Sequence, residues 1–326
     1  MMKRLISAVV LTAATTIPAI AFAQTKLRVA CPSAATNSTC LTATRFAEEA
    51  NALSEGSLEV QVFPAAQLGS GVEAIQQTQA GIIDMVVEDI TNYGTFNKDY
   101  NVISWGFAFR NQAHFDAFLK SDLQASMADE VRAKFGLRFF AVNWAKLPRV
   151  TVSTKPIFTP EDVKGLKFRV PGIQSYIRTW ETLGTNPASV PWGESFQALK
   201  TGVVDAMEAP LDSVVSQNFH LAAPYVTLTN HVFSSITLAI NESRYQRLTD
   251  SEKAALAEAA ARAAVYSDEL AKKAADEAIG AITADGGFVI SVSSKPFQSM
   301  LAAKVDEQEA EGLWSAGLMA QIQAIN

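Results

Sequence analysis

Hydrophobic and polar positions along the chain follow two periods, which predicts strands interleaved with helices. Leu58–Phe63 alternates with period two, as a half-buried strand does, and 26–30 is a short apolar run typical of a buried strand. The stretches 82–90 and 137–144 have the same apolar character. A capping-box sequence at 249–252 opens an alanine-rich, proline-free stretch to about residue 285, which predicts a helix of roughly 50 Å. That helix would be longer than one compact lobe, so we expect it to bridge two.

The first 23 residues have the pattern of a secretory signal peptide. Lys3 and Arg4 precede an apolar stretch from Leu5 to Ile20, and an A-x-A site ends at Ala23. The stretch is shorter than the run of about 20 apolar residues that a membrane span needs. We therefore expect export to the periplasm, with the signal peptide 1–23 cleaved after Ala23.

Length and charge narrow the function classes for the mature chain. About 300 residues exceed the length at which one core usually keeps growing, which predicts two lobes with a cleft between them. The formal charge is -6, and removing two cations with the signal peptide gives -6 - 2 = -8. An acidic chain without a basic cluster argues against nucleic acid and anionic membrane surfaces as partners.

The two cysteines, Cys31 and Cys40, lie nine positions apart in the mature chain. In an oxidising compartment they are expected to form a disulfide after the first strand, while two reduced cysteines remain the alternative. The three histidines have no ligand-like spacing to them, so no metal site is expected.

Two arginines provide the clearest chemical signal. Arg149 and Arg169 lie in separate apolar or alternating runs, which we interpret as neighbouring strands, and Trp192 follows in a proline-flanked loop. An arginine fork binds a carboxylate through two parallel charge-assisted hydrogen bonds, and a strand fixes its direction. The pattern predicts a carboxylate-binding site.

Other polar side chains fall where predicted strands end, the usual position of ligands in open α/β sheets. For the loop residues the alternative is helix capping, and for the paired carboxylates it is an ordinary surface pair. The residues are Ser33, Asn37 and Ser38 after the first strand, Glu88 and Asp89 after the third, and Asn143 and Trp144 at 137–144.

Four motifs resemble a known family. The runs P-E-D-V-K-G-L-K-F-R-V-P (160–171) and V-P-W-G-E-S-F-Q-A-L-K-T-G-V-V-D (190–205) closely resemble the periplasmic solute-binding subunits of TRAP transporters, the DctP type. The runs V-F-P-A-A-Q-L-G-S (62–70) and A-G-I-I-D-M (80–85) extend the resemblance over nearly the whole mature chain. It implies an α/β, two-lobed periplasmic binding protein fold with mixed sheets flanked by helices.

The resemblance also implies site and partners. Arg169 becomes the principal carboxylate ligand, with Arg149 beside it and Trp192 packing on the carbon skeleton of the ligand. The partners are a small organic acid and the small and large TRAP membrane subunits; no cofactor is implied, and a monomer is expected. The expected lobes are 24–146 plus 235–274 (lobe I) and 147–234 plus 275–326 (lobe II).

The chain departs from the family pattern at Ala209, where relatives commonly have a polar residue, often asparagine. Glu208, Asp212 or Gln174 is expected to supply the missing polar group.

The polar groups at the cleft exceed what a simple dicarboxylate requires, which favours a hydroxylated acid such as a uronate or aldonate. A 2-oxo or 2-hydroxy acid, with a cation held by Glu208, and an organosulfonate remain open. A ligand-sensing subunit remains open as well. Since the sequence has no G-x-S-x-G, H-E-x-x-H, P-loop or G-x-G-x-x-G motif, an enzyme is disfavoured.

Overall fold

The computed structural model describes residues 24–326, so the predicted signal peptide 1–23 lies outside the described residues. Strands and helices alternate along the chain. The strands are β1 (Thr25–Ala30), β2 (Leu58–Phe63), β3 (Met85–Asp89), β4 (Leu137–Trp144), β5 (Arg149–Ser153), β6 (Lys167–Val170), β7 (Asn186–Ser189), β8 (Ala206–Pro210), β9 (Tyr225–Val232), β10 (Ile236–Asn241) and β11 (Phe288–Ser291).

Helices flank the strands and occupy much of the C-terminal part. They are α1 (Ser38–Leu53), α2 (Gly71–Gln79), α3 (Asn101–Ser104), α4 (Gln112–Leu119), α5 (Asp122–Phe135), α6 (Gln174–Thr182), α7 (Ser195–Lys200), α8 (Leu211–Ser216), α9 (Phe219–Ala222), α10 (Glu242–Gln246), α11 (Asp250–Ala284), α12 (Lys295–Ala302), α13 (Val305–Ala310) and α14 (Leu318–Gln323). Short 3-10 helices cover Ile90–Thr95, Lys98–Tyr100, Pro160–Val163 and Trp192–Glu194.

Two mixed sheets organise these elements, as the expected two-lobed fold requires. The first has the order β2-β1-β3-β10-β4 and the second β11-β9-β5-β8-β6-β7. In the first sheet β1 is parallel to β2 and β3, and β10 is antiparallel to β3 and β4. The chain crosses between the sheets three times, from β4 to β5, from β9 to β10 and, through α11, from β10 to β11.

One sheet expectation is wrong. The two arginine-bearing strands, β5 and β6, are not neighbours, because β8 lies between them and pairs with both. The central strand β8 comes from later in the chain than either of them. It is antiparallel to β5 but parallel to β6. Arg149 and Arg169 therefore meet across β8.

The long helix α11 bridges both sheets, as predicted. It has 35 residues and begins with a reciprocal capping box, in which Thr249 Oγ1 accepts from Glu252 N and Glu252 accepts from Thr249 N. Its N-terminal part packs on α1 and β4, and its C-terminal part contacts α8 and β11. The helix is therefore shared by the two lobes.

The C-terminal helices contact the first lobe. His114 Nε2 donates to Ile322 O at 2.9 Å, and Asn101 Nδ2 donates to Leu313 O at 3.1 Å. Residues of 305–326, which we expected in lobe II, therefore lie against helices of the expected lobe I range.

The loop after β1 is covalently closed. Cys31, directly after β1, and Cys40, in the first turn of α1, form a disulfide with their Cα atoms 5.9 Å apart. Both cysteines are buried. The disulfide therefore holds the start of α1 against the end of β1, close to the cleft.

Candidate functional site

A cavity of about 470 Å³ lies between the two sheets. Its walls come from the C-terminal ends of β3, β6 and β8, the start of β5 and the crossover before it. Ligands of open α/β sheets bind at such strand ends. The lining includes Ser33, Thr39, Ser70, Gly71, Glu73, Glu88, Asp89, Thr91, Asn92, Lys146, Arg149, Arg169, Ser189, Pro191, Trp192 and Pro210.

Arg169 lies in this wall as a buried cation, and no carboxylate among residues 24–326 forms an ion pair with it. Its side chain belongs to a residue only 1% exposed, and Nε and Nη2 both donate to Val190 O at 2.9 and 2.7 Å. Its Nη1 atom has no hydrogen-bond partner among the described residues. Burial lowers the pKa of Arg169 to about 10, and the neighbouring Arg149 acts in the same direction. An anion bound to this guanidinium would give Nη1 a hydrogen-bond acceptor and would offset the buried positive charge.

Arg149, in contrast, is already neutralised by Glu208. Nη2 donates to Glu208 Oε1 at 3.2 Å, Nε donates to Oε2, and Nη1 lies 3.5 Å from Asp89 Oδ2. Burial is the largest single effect and opposes the charged form, but Glu208, Tyr176 and Asp89 together outweigh it and raise the pKa of Arg149. The guanidinium also lies 4.9 Å from the ring centroid of Tyr176. Arg149 lines the cavity, yet its charge is largely satisfied from within.

Glu208 does not line the cavity. It is fully buried on β8, opposite Thr151 of β5, and both of its oxygens accept from Arg149. Ala209 is fully buried in the core of the second sheet. His231 Nε2 lies 3.9 Å from Glu208, and burial lowers the pKa of His231 to about 3, so this histidine is neutral. Of the three residues expected to supply a polar group in place of Ala209, Glu208 is therefore bound to Arg149 and is not brought to the cavity in this structure.

Trp192 forms the aromatic part of the wall. It opens the short 3-10 helix after Pro191, and its ring packs edge-on against Phe219 with centroids 5.2 Å apart. The Arg169 guanidinium carbon lies 5.5 Å from the Trp192 ring centroid. The ring thus sits beside the guanidinium, where it can contact the carbon skeleton of a bound acid.

Glu88 and Asp89 line the cavity from the first sheet. Glu88 accepts from Asn92 Nδ2 at 2.7 Å and from the N–H of Gly71, whose φ of +60° only glycine adopts freely. Burial raises the pKa of Glu88 to about 7. Asp89 accepts from Thr91 N at 3.1 Å, which caps the 3-10 helix after β3.

Two predicted ligand contacts serve a different purpose. Asn37 caps α1, since its Oδ1 accepts from Thr39 N at 3.0 Å, and its Nδ2 donates to Ser216 Oγ at 2.8 Å. Asp212 accepts a hydrogen bond from Ser38 Oγ. Neither lines the cavity. These two bonds join α1 of the first lobe to α8 of the second.

Asn143 and Gln174 also lie elsewhere. Asn143 is exposed and lines a second cavity of about 310 Å³, next to α4 and α11. Its neighbour Trp144 is buried, and Nε1 donates to Ala260 O at 3.1 Å. Gln174 is exposed at the first position of α6. The four residues Asn37, Asp212, Asn143 and Gln174 are therefore not brought to the cavity in this structure.

Sequence reasoning missed Lys146 and Asn92. Lys146 lies in the irregular crossover from β4 to β5, where no periodicity assigns its side chain a face. The available signal was a single cation in the apolar run W-A-K-L-P just before Arg149. Asn92 follows β3 by only a few residues and donates to Glu88. Its position just after the end of β3 was the signal in the sequence that could have identified it as a cavity residue.

Residues 24–326 lack both a metal-binding cluster and a helix suited to span a membrane. They contain no group of three or more His, Cys, Asp or Glu side chains placed to hold a metal ion. In the same part of the chain, no helix combines the length and the apolar character needed to cross a bilayer.

Comparison with known proteins places the chain in a family. The family model for bacterial extracellular solute-binding proteins, family 7 (DctP), matches residues 32–311. A solute-binding protein of Roseobacter denitrificans is 31% identical over 79% of both chains. The 2,3-diketo-L-gulonate-binding periplasmic protein of Escherichia coli is 28% identical over 86% of this chain and 85% of its own.

Solved structures show the same architecture. A TRAP periplasmic solute-binding protein from Roseobacter denitrificans, with bound β-D-glucuronate, superimposes with a TM-score of 0.87 at 28% identity. The match covers 92% of this chain and all of that one, 100%. Together with a family model that spans most of the sequence, this likeness shows that the chain belongs to the DctP family of bacterial extracellular solute-binding proteins.

Proposed function

We propose that this protein is the periplasmic solute-binding component of a TRAP-type secondary transporter. In this proposal the mature chain, cleaved after Ala23, works as a monomer that captures a small organic acid and delivers it to the small and large membrane subunits. The best candidate ligand is a sugar acid such as a uronate or an aldonate. Relatives named for β-D-glucuronate and 2,3-diketo-L-gulonate support this class.

The observation behind the ligand chemistry is the unneutralised guanidinium of Arg169 in the cavity wall. An unpaired buried charge is costly, and a carboxylate that binds it through charge-assisted hydrogen bonds removes that cost. Arg149 cannot take this role alone, because Glu208 already occupies two of its nitrogens. Water exclusion between the lobes would strengthen the new ion pair, which favours the closed arrangement only when an anion is inside.

The size and the opposite wall of the cavity fit a sugar acid. A volume of about 470 Å³ lies within the usual range of roughly 300–1,000 Å³ for small-molecule sites. Glu88, Asn92 and Ser33 supply hydrogen-bonding groups from the first lobe. Hydroxyl groups on a ligand could use the remaining hydrogen-bonding capacity of these groups, in addition to the bonds that Glu88 already accepts from Gly71 and Asn92.

Calorimetry and thermal unfolding of the mature protein test the proposal. At 100 times its dissociation constant, a true ligand should stabilise the protein by about 2.7 kcal/mol. Arg169→Ala should weaken binding by a hundredfold or more, since removing one partner of a buried pair costs roughly 3–5 kcal/mol. Arg178→Ala is the matched control, because Arg178 lies on the surface of α6 and its side chain is 43% exposed.

The proposal fails if no sugar acid, hydroxy acid, oxo acid or sulfonate stabilises the protein. It also fails if Arg169→Ala binds as tightly as the Arg178→Ala control.

A 2-oxo acid is the second candidate, supported by the diketo acid bound by the Escherichia coli relative. A cation held by Glu208 is not needed for it, because both Glu208 oxygens bind Arg149. Titration of the chelator-treated protein with 2-oxo acids separates the two candidates. Uptake into vesicles containing the membrane subunits distinguishes transport from a sensing role.

A further inference from the structure

Lys146 contributes a third cation to the cavity lining, in addition to Arg149 and Arg169, from the side of the first lobe. It lies in the crossover between β4 and β5, and its side chain is only 10% exposed. Its one ion pair among residues 24–326 is with Asp89, whose Oδ2 lies 3.9 Å from Nζ. That distance is beyond hydrogen-bond range. A nearly buried ammonium with three donors therefore borders the cavity without a close acceptor.

Asp89 has little capacity left for Lys146. Its Oδ1 accepts from Thr91 N and from Thr91 Oγ1 at 3.1 and 2.8 Å, and its Oδ2 accepts from Ser234 Oγ at 3.1 Å. Arg149 Nη1 also lies 3.5 Å from Oδ2. Asp89 is thus committed to holding the 3-10 helix, the second crossover and Arg149. A ligand in the cavity can therefore supply acceptors that Asp89 does not provide to the ammonium of Lys146.

Glu88 gives the same wall a carboxyl group whose oxygens accept from Gly71 N and Asn92 Nδ2 and keep further lone pairs for a ligand. It lines the cavity, is only 3% exposed, and lies close enough for the charge of Lys146 to act on its carboxyl group. A hydroxyl group can accept from an ammonium and donate to a carboxylate at the same time. A second carboxylate would accept from Lys146, but it would meet the like charges of Glu88 and Asp89. The pair of Lys146 and Glu88 thus suits a hydroxyl group better than a second anionic group.

We propose that Lys146 is a ligand-binding residue that recognises the hydroxyl oxygens of an acid whose carboxylate is bound by Arg169. Together with Glu88 it makes the site selective for hydroxylated monoacids over diacids of the same carbon skeleton. This inference rests on the proposed function, since it needs an acid at Arg169. Lys146 acts from the crossover of the first lobe and Arg169 from β6 of the second, so one ligand would link the two lobes.

Calorimetry with three ligands tests this inference: D-glucuronate, the matching diacid D-glucarate, and hexanoate, which has no hydroxyl groups. Lys146→Met keeps the length of the side chain and removes the charge. It should weaken D-glucuronate binding roughly tenfold to a hundredfold, as expected for lost hydrogen bonds to a charged group. Lys146→Arg should retain more of the affinity, and Lys120→Met, at an exposed position on the surface, should retain all of it.

The wild-type protein should also prefer D-glucuronate to D-glucarate, and hexanoate binding, measured by competition, should change less than about twofold in Lys146→Met. Equal loss for all three ligands would overturn the inference, because it would make Lys146 a general source of positive potential. Failure of every acid to bind the wild-type protein would instead overturn the proposed function.

A measurement without ligand gives a second, independent check. If Lys146 awaits a ligand, Lys146→Met should leave the urea midpoint of the apo protein unchanged or raise it, since an incompletely paired buried charge disappears. A lower midpoint would show that the contact with Asp89 is structural and would count against the inference.

Discussion

Replacing Glu208 by alanine should destabilise the protein strongly, because it leaves Arg149 buried without its partner. The Glu208 side chain is 0% exposed and that of Arg149 is 7% exposed, so water cannot readily take over the two lost hydrogen bonds. Breaking a buried pair in this way costs roughly 3–5 kcal/mol. Asp89, at 3.5 Å from Nη1, still offsets part of the charge, which places the expected loss near the lower end, about 3 kcal/mol.

Urea unfolding at pH 7, followed by tryptophan fluorescence and circular dichroism, measures this loss. The double replacement Arg149→Met with Glu208→Leu should recover most of the stability, because apolar side chains of similar size often replace buried ion pairs without loss. Glu181→Ala, which removes an exposed pair with Arg178, is the control and should cost below about 0.5 kcal/mol. A loss for Glu208→Ala no larger than that of the control would refute the description of Arg149 as buried and internally neutralised.

Two other predictions concern pH and the disulfide. Burial raises the pKa of Glu88 from 4.5 to about 7. Between pH 4.5 and about 7 the folded state therefore binds more protons than the unfolded state. The free energy of unfolding should fall by up to about 3 kcal/mol as the pH rises through this range. Glu88→Gln should remove that slope in urea midpoints measured from pH 4.5 to 7.5, and an unchanged slope would contradict the assignment. Converting Cys31 and Cys40 to alanine should lower the free energy of unfolding by roughly 2–3 kcal/mol, as expected for so short a loop. Thermal unfolding with and without reductant measures this loss. The reductant should not change the unfolding of the variant.

Much of the fold follows from local patterns in the sequence. The period-two alternation of β2 and the capping box at Thr249 were located correctly, because both depend on nearest neighbours in the chain. The order of the strands does not follow from such patterns. β8 separates β5 from β6 through pairings over long sequence distances, and nothing in the three segments alone indicates it.

The candidate site was predicted only in part, for similar reasons. Arg169 and Trp192 were expected in the cleft and do line the cavity, although their contact with a ligand stays a prediction. Asn143 and Trp144 both lie at the end of β4 that borders the second cavity, beside α4 and α11, and the sequence does not show which edge of the sheet α11 covers. Glu208 was assigned to the ligand because a sequence does not show that an arginine on the adjacent strand already binds both oxygens.

The bonds from Asn37 to Ser216 and from Ser38 to Asp212 have a consequence for how the protein holds and frees a solute. They tie α1 of the first lobe to α8 of the second and do not involve residues that line the cavity. Each such bond stabilises the closed arrangement by roughly 0.5–1.5 kcal/mol after the exchange with water is counted. The polypeptide itself therefore supplies part of the free energy that holds the two lobes together. A bound solute needs to contribute only the rest of the free energy of closure. Opening of the lobes must break these two hydrogen bonds first.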